Sequence, residues 1–255
     1  MAVKLSEDQL AEMFELLQGA DTVELKLSIP EEHHRSTVVA LGMDAIDAQI
    51  RQVFFFDTPD LALDRAGVVV RARRVQGKIG DSVVKLRPVV PSELPKSLRK
   101  MPGFGVEVDA MPGGYVCSGR LKEAADNGLI RRATAGEVPL RKLFTDEQAA
   151  LFKAHAPEGI RFKDLSVLGP VLVLKLPFTP AELGQKLVAE LWLYPNGSRI
   201  LELSTKCLPA DVLGVVAKTR HYLVEHGVDR SGDQQAKTKT ALMFFSKQLK
   251  AGAES

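Results

Sequence analysis

Apolar and polar residues alternate with period two through Thr22–Ile29, where Val23, Leu25, Leu27 and Ile29 share one face and Thr22, Glu24, Lys26 and Ser28 the other. Strict alternation predicts a strand with one dry and one polar face. The same period, or a β-rich apolar run, predicts strands at residues 52–56, 105–111, 165–176, 187–194 and 198–207. The last two are joined by Pro195-Asn196-Gly197, a hairpin turn. A further hairpin follows Asp57: Val70 and Ala72 on its first strand, and Val84 and Leu86 on its second, take one face. Helical spacing predicts helices at 6–18, where Met13, Phe14 and Leu17 form a stripe, and at 36–49, 120–127, 145–156 and 210–226. Pro88, Pro91, Pro95 and Pro102 mark a long exposed loop, and a last short segment at 236–245 carries Lys237 and Lys239. Eight strands and peripheral helices predict an α+β protein, an eight-stranded antiparallel β-barrel in one domain over residues 1–255 with its core at about 22–239.

The polar faces change the picture. They hold Lys26, Arg71, Arg73, Lys85, Arg87, Lys175 and Lys206 as cations, and Glu24, Glu107, Asp109, Glu190 and Glu202 as anions. A sheet face open to water mixes Thr, Ser and Gln among its charges, whereas near-pure Arg, Lys and Glu on strand after strand predicts a barrel with a charged interior. Like charges at paired strand positions repel, so a hairpin bearing Arg71, Arg73, Lys85 and Arg87 on one face calls for an anion. A chain of phosphates fits it, because guanidinium forks make bidentate contacts to phosphate. Carboxylates beside such a cradle would hold a divalent metal, for which Mg²⁺ suits a few carboxylates plus substrate phosphates. Trp192 falls on the tunnel side with Glu190 by parity, and Asp57 and Asp60 read as turn and cap residues.

Composition adds exclusions. The 255 residues are 45% hydrophobic and 26% charged, with a net charge of +2 that predicts no general attraction to nucleic acid or membrane. Cys117 and Cys207 have no metal-binding spacing and suit a reducing compartment. The acidic, amphipathic start is no signal peptide, and no apolar run approaches a membrane span, so the expected location is the cytoplasm.

The segments T-V-E-L-K-L, D-T-P-D-L-A-L-D-R-A-G-V-V-V-R-A-R-R, V-V-K-L-R and L-E-L-S-T-K resemble the CYTH domain, or triphosphate tunnel metalloenzymes. The resemblance spans residues 22–239 and is firmest over 55–87. It implies an antiparallel tunnel acting on triphosphates with Mg²⁺ or Mn²⁺. Matched to the family pattern, Lys26 and Glu24 take catalytic positions, and Glu24, Glu107, Asp109, Glu190 and Glu202 metal positions. Arg71, Arg73, Lys85 and Lys175 take phosphate positions, to which strand parity adds Arg87 and Lys206. Thr22 and Ser204 stand where the family carries acids, and Lys175 where an arginine is common.

The expected activity is therefore metal-dependent hydrolysis of a triphosphate: inorganic triphosphate, thiamine triphosphate or a nucleoside triphosphate. The alternatives are a class IV adenylate cyclase and a non-catalytic polyphosphate or nucleotide binder, the latter motivated by Thr22 and Ser204. The expected partner is a small triphosphate or polyphosphate, with no nucleic acid and no membrane; a homodimer is left open.

Overall fold

The computed structural model describes residues 6–231, 234 and 237–253. The described residues form nine strands: β1 (Thr22–Ile29), β2 (Gln49–Asp57), β3 (Val68–Val75), β4 (Gly80–Leu86), β5 (Phe104–Met111), β6 (Gly114–Ala125), β7 (Ser166–Phe178), β8 (Leu187–Leu193) and β9 (Arg199–Cys207). They close into a barrel in the order β1-β5-β6-β4-β3-β2-β7-β8-β9. Every neighbouring pair is antiparallel except β1 and β5, which run parallel with Thr22 beside Glu107 and Glu24 beside Asp109. The expectation of eight strands, all antiparallel, is thus corrected on both counts.

The strand that sequence pattern missed is β6. Residues 120–127 contain good helix formers, but Arg120, Leu121 and Lys122 pair in register with Lys85, Val84 and Val83 of β4. Pairing on both edges overrides local propensity, and the helix starts only after Asp126, whose side chain accepts from the Leu129 N–H. The helix expected at 36–49 is also shorter. It stops at Ala40, Gly42 turns the chain at φ 58°, and Gln49 already belongs to β2.

Among the described residues eight α-helices accompany the barrel: α1 (Glu7–Gly19), α2 (His34–Ala40), α3 (Ala62–Arg65), α4 (Lys96–Arg99), α5 (Asn127–Thr134), α6 (Asp146–His155), α7 (Val212–Glu225) and α8 (Lys237–Ala253), with α1–α7 on its outside. Strand parity sends one set of side chains outward into apolar layers beneath them. Phe54, Phe56, Val70, Ala72, Val84 and Leu121 pack under Leu63, Ile130, Leu151 and Phe152. On the far side Leu27, Leu187, Leu201 and Leu203 pack under Tyr222 and Leu223 of α7.

The D-T-P-D turn is built as expected: the Asp57 carboxylate accepts from the N–H groups of Thr58, Leu63 and Asp64 and so caps α3. Gly67 follows at φ 73°, and a Cβ there would stand 2.6 Å from the Arg87 carbonyl oxygen. That contact explains why the motif places glycine before its cationic strand.

Helix α8 does not lie on the outside of the barrel. Its Ala241, Leu242 and Phe245 meet Val53, Phe55, Val171, Trp192 and Ile200, which share the inward parity of Arg51, Val173, Glu190 and Glu202. The helix therefore stoppers one end of the tunnel with an apolar plug. The Ser246 hydroxyl donates to the Pro59 carbonyl at 2.7 Å, and the Tyr194 hydroxyl to that of Lys237 at 3.2 Å. Of the segment expected at 236–245, residue 236 lies outside the described residues, and the rest is the first half of this helix.

Candidate functional site

Inward parity on successive strands gathers charge in a cavity of about 480 Å³. All twelve residues singled out from the sequence line it: Glu24, Lys26, Arg71, Arg73, Lys85, Arg87, Glu107, Asp109, Lys175, Glu190, Glu202 and Lys206. Arg51, Lys78, Asp81, Arg120, Lys122 and Lys237 join them. The lining carries twelve lysines and arginines against six carboxylates, an excess of six positive charges within a chain whose net charge is only +2.

The cationic hairpin is arranged differently from its sequence reading. Its cations are staggered rather than opposed, because Arg71 pairs with Val83, Lys85 with Val69, and Arg73 with Asp81. Asp81 takes Arg73 as a fork, with Nε 2.9 Å from Oδ1 and Nη2 2.7 Å from Oδ2. Arg71 has no such partner. No carboxylate among the described residues forms an ion pair with it, and its buried Nε makes no hydrogen bond. Burial and the neighbouring Arg73 push its guanidinium down to about 10.

Across the tunnel, Glu24, Glu107 and Asp109 offer carboxylate oxygens that all lie within 4.8 Å of one another. The parallel β1–β5 seam brings them together, since it sets Glu24 beside Asp109. Lysines occupy this group. Lys26 Nζ lies 2.8 Å from Asp109 and 3.2 Å from Glu24, Lys85 lies 3.4 Å from Asp109, and Lys206 pairs with Glu107 and, at 3.7 Å, with Glu24. Burial alone would raise the Asp109 carboxyl, but Lys85 and Lys26 outweigh it and hold the group well below the usual carboxylate range. Burial opposes the Lys26 charge in turn, and Asp109, Glu24 and Glu202 overcome it, holding Lys26 above the ordinary lysine range. Lys85 goes the other way: burial, with Lys26 and Arg87 adding repulsion, brings it to about 8 despite Asp109.

Thr22, at the position where an acid was expected, donates its hydroxyl to Glu107 at 3.5 Å. Three converging carboxylates fit a divalent cation in donor chemistry, although Asp109 Oδ1 already faces the Lys26 ammonium at 2.8 Å. Glu190 and Glu202 are not part of this group. They face each other across β8 and β9 and are bridged by Lys237, with Lys175 3.0 Å from Glu190 and the Trp192 N–H donating to Glu190 at 3.2 Å.

Sequence reasoning missed Arg51, Lys78, Asp81, Arg120, Lys122 and Lys237 as lining residues. Asp81 shares the parity of Lys85 and was legible. Arg120 and Lys122 were hidden by the helical reading of β6, and Lys237 reaches the tunnel from a helix, where strand parity gives no signal.

No protein-family model matches the chain, and no curated protein matches it in sequence. Solved structures do resemble it. A candidate adenylate cyclase from Bacillus halodurans superposes with a TM-score of 0.58 at 11% identity, covering 86% of this chain and 98% of that one. A candidate adenylyl cyclase from Hippeastrum, described as having a dominant triphosphatase activity, gives a TM-score of 0.59 at 18% identity, covering 83% and 91%. At these identities the likeness is one of fold alone.

Proposed function

We propose that this protein hydrolyses the terminal phosphoanhydride of a triphosphate inside the tunnel, with a divalent cation held by Glu24, Glu107 and Asp109. The observation that carries this reading is Arg71, an enclosed guanidinium without a carboxylate, set in a lining with twice as many cations as anions. Asp81 and Glu190 offset the burial of this charge only in part; a buried charge without an ion-pair partner is costly, and a polyanion would complete it.

Arg71, Arg73, Lys85 and Arg87 grip the phosphates, with Lys175 and Lys206 nearer the open end opposite α8. Lys26 sits against two of the three metal-group carboxylates and is placed to neutralise charge on the phosphoryl group that reacts. Mg²⁺ or Mn²⁺, when bound, supplies charge neutralisation and an activated water. Water adds to the terminal phosphorus, the bridging P–O bond breaks, and orthophosphate and the shortened chain leave. Lys206 and Lys26 must yield part of their hold on the carboxylates for a cation to enter.

The test is release of orthophosphate from tripolyphosphate, thiamine triphosphate and ATP across Mg²⁺ and Mn²⁺, with Arg71→Ala as control. Turnover abolished by Arg71→Ala is expected. A folded preparation inert with every metal and substrate overturns hydrolysis; tripolyphosphate binding without turnover then supports a non-catalytic binder. Cyclic AMP with diphosphate as co-product from ATP would establish the cyclase reading instead.

A further inference from the structure

Outside the tunnel, on the opposite face of β1, the apolar coat is incomplete. Helix α7 is held at its C-terminal half, where Tyr222 and Leu223 are buried, but Leu213 is 74% exposed and Val216 41% exposed. Between the start of α7, helix α1 and the outer faces of β1 and β5 runs a groove of about 1130 Å³. A second groove of about 330 Å³ continues beneath the middle of α7. The two share Leu25, Ala110, Met111 and Val216, so they form one channel.

The channel is polarised along its length. The α1 end is apolar, rimmed by Phe14, Leu208 and Leu213, all more than half exposed. Following α7 one turn past Val216 leads to Thr219 and Arg220, and Arg230 lines the same end. Neither arginine forms an ion pair among the described residues, and the buried Thr219 hydroxyl oxygen has no hydrogen-bond partner. An exposed apolar surface of this kind marks a binding site, and a few polar groups at one end of an apolar cleft fix a ligand's orientation. Two guanidiniums without an ion pair among the described residues, lining the same end as an unpartnered hydroxyl, suit the two oxygens of a carboxylate.

We propose that this channel binds an aliphatic carboxylate, with the hydrocarbon chain along Leu25, Met111 and Val216 and the carboxylate against Arg220, Arg230 and Thr219. The barrel wall lies between this site and the tunnel: Leu25 faces the channel and Glu24 the tunnel, and Lys26, which borders both cavities, has its ammonium on the tunnel side against Glu24 and Asp109.

The test is calorimetric titration of the full chain with decanoate, octanoate and hexanoate below their micelle concentrations, with 1-decanol as the uncharged probe. Saturable binding of one decanoate per chain is expected, weakening about fourfold for each methylene removed. Val216→Asp, in the channel wall, abolishes it. Arg220→Ala combined with Arg230→Ala weakens decanoate at least tenfold and leaves 1-decanol unchanged. Circular dichroism of each variant checks folding, and Leu213→Ser at the exposed rim gives a milder second variant should Val216→Asp unfold the chain. Absence of saturable decanoate binding overturns the proposal, as does binding indifferent to both the arginines and Val216. Concentration-dependent dimerisation abolished by Val216→Asp would also overturn it, because a second copy would then cover the channel.

Discussion

Glu190 and Glu202 stand directly opposite one another across the β8–β9 ladder, and the Lys237 ammonium lies 2.7 Å from a carboxylate oxygen of each. Opposed like charges destabilise a sheet, so the pair depends on a cation delivered by a helix. The same ammonium sits 5.1 Å from the centre of the Trp192 ring. Burial opposes the charge on Glu190, yet Lys237 and Lys175 hold its carboxyl well below the ordinary range, and Glu190 and Glu202 in turn keep Lys237 raised against its own burial. The stopper at the end of the tunnel is thereby tied to the charge state of its lining.

Lys237→Met should therefore destabilise the protein by about 3 kcal/mol at pH 7, the cost of stranding buried carboxylates. The sign of its pH dependence follows from linkage. A depressed Glu190 contributes stability above its unfolded value of 4.5 that is lost as pH falls, and a raised Lys237 contributes stability below 10.5 that is lost as pH rises. The gap between variant and parent should be widest between those values and shrink on either side. Urea denaturation across pH measures it, with Glu202→Gln added to Lys237→Met expected to recover part of the loss. Equal stability of Lys237→Met and parent at pH 7 would remove the bridge from the account.

The contrast between Arg73 and Lys237 shows what was legible in the sequence. Period two is a property of the strand itself, so the twelve charges on β1, β3–β5 and β7–β9, with Arg87 just past β4, could be assigned to one face before their partners were known. What alternation does not encode is pairing. Arg73 meets Asp81 because of the β3–β4 register, and Glu24 meets Asp109 because β1 and β5 close the barrel in parallel. Residues 120–125 failed for a different reason: their local preference is helical, and only the edges of β4 and β5 make them a strand. Lys237 was beyond reach, since a helix plugging a barrel end has no periodic relation to the strands it serves.

Lys85 should set an alkaline limit on phosphate binding. With its ammonium near 8, it loses charge as pH rises above that value, and a bound polyanion favours the charged form. Tripolyphosphate binding should consequently take up a fraction of a proton between about pH 8 and 9.5, read from the dependence of the calorimetric enthalpy on buffer ionisation. Lys85→Arg, which keeps its charge throughout, should abolish that uptake. Proton uptake unchanged in Lys85→Arg would assign it to another group.

Lys206 competes with any cation for the carboxylates, since it pairs with both Glu107 and Glu24. Lys206→Ala should bind Mn²⁺ in the absence of phosphate more tightly than the parent, by about tenfold, the size of one removed charge-assisted contact. The same variant should bind tripolyphosphate more weakly in metal-free buffer. Titration followed by electron paramagnetic resonance of free Mn²⁺ gives the first quantity. Glu107→Gln should lose the Mn²⁺ site altogether, and Mn²⁺ affinity unmoved by both substitutions would place the cation elsewhere.

Arg71 allows the sharpest separation of stability from function. Its guanidinium is enclosed, near Arg73 and without an ion-pair partner among the described residues, so Asp81 and Glu190 offset only part of its desolvation in the unliganded fold. Arg71→Met keeps the aliphatic stem while deleting the charge. A gain of about 1 kcal/mol would appear as a rise in the Tm of the unliganded protein of roughly 2–4 °C, while tripolyphosphate affinity should fall at least a hundredfold. Saturating tripolyphosphate should then raise the Tm of the parent well above that of the variant, reversing their order. Opposite movements of stability and affinity are the signature of a group retained for its ligand; a variant that loses both would make Arg71 part of the barrel's own charge network.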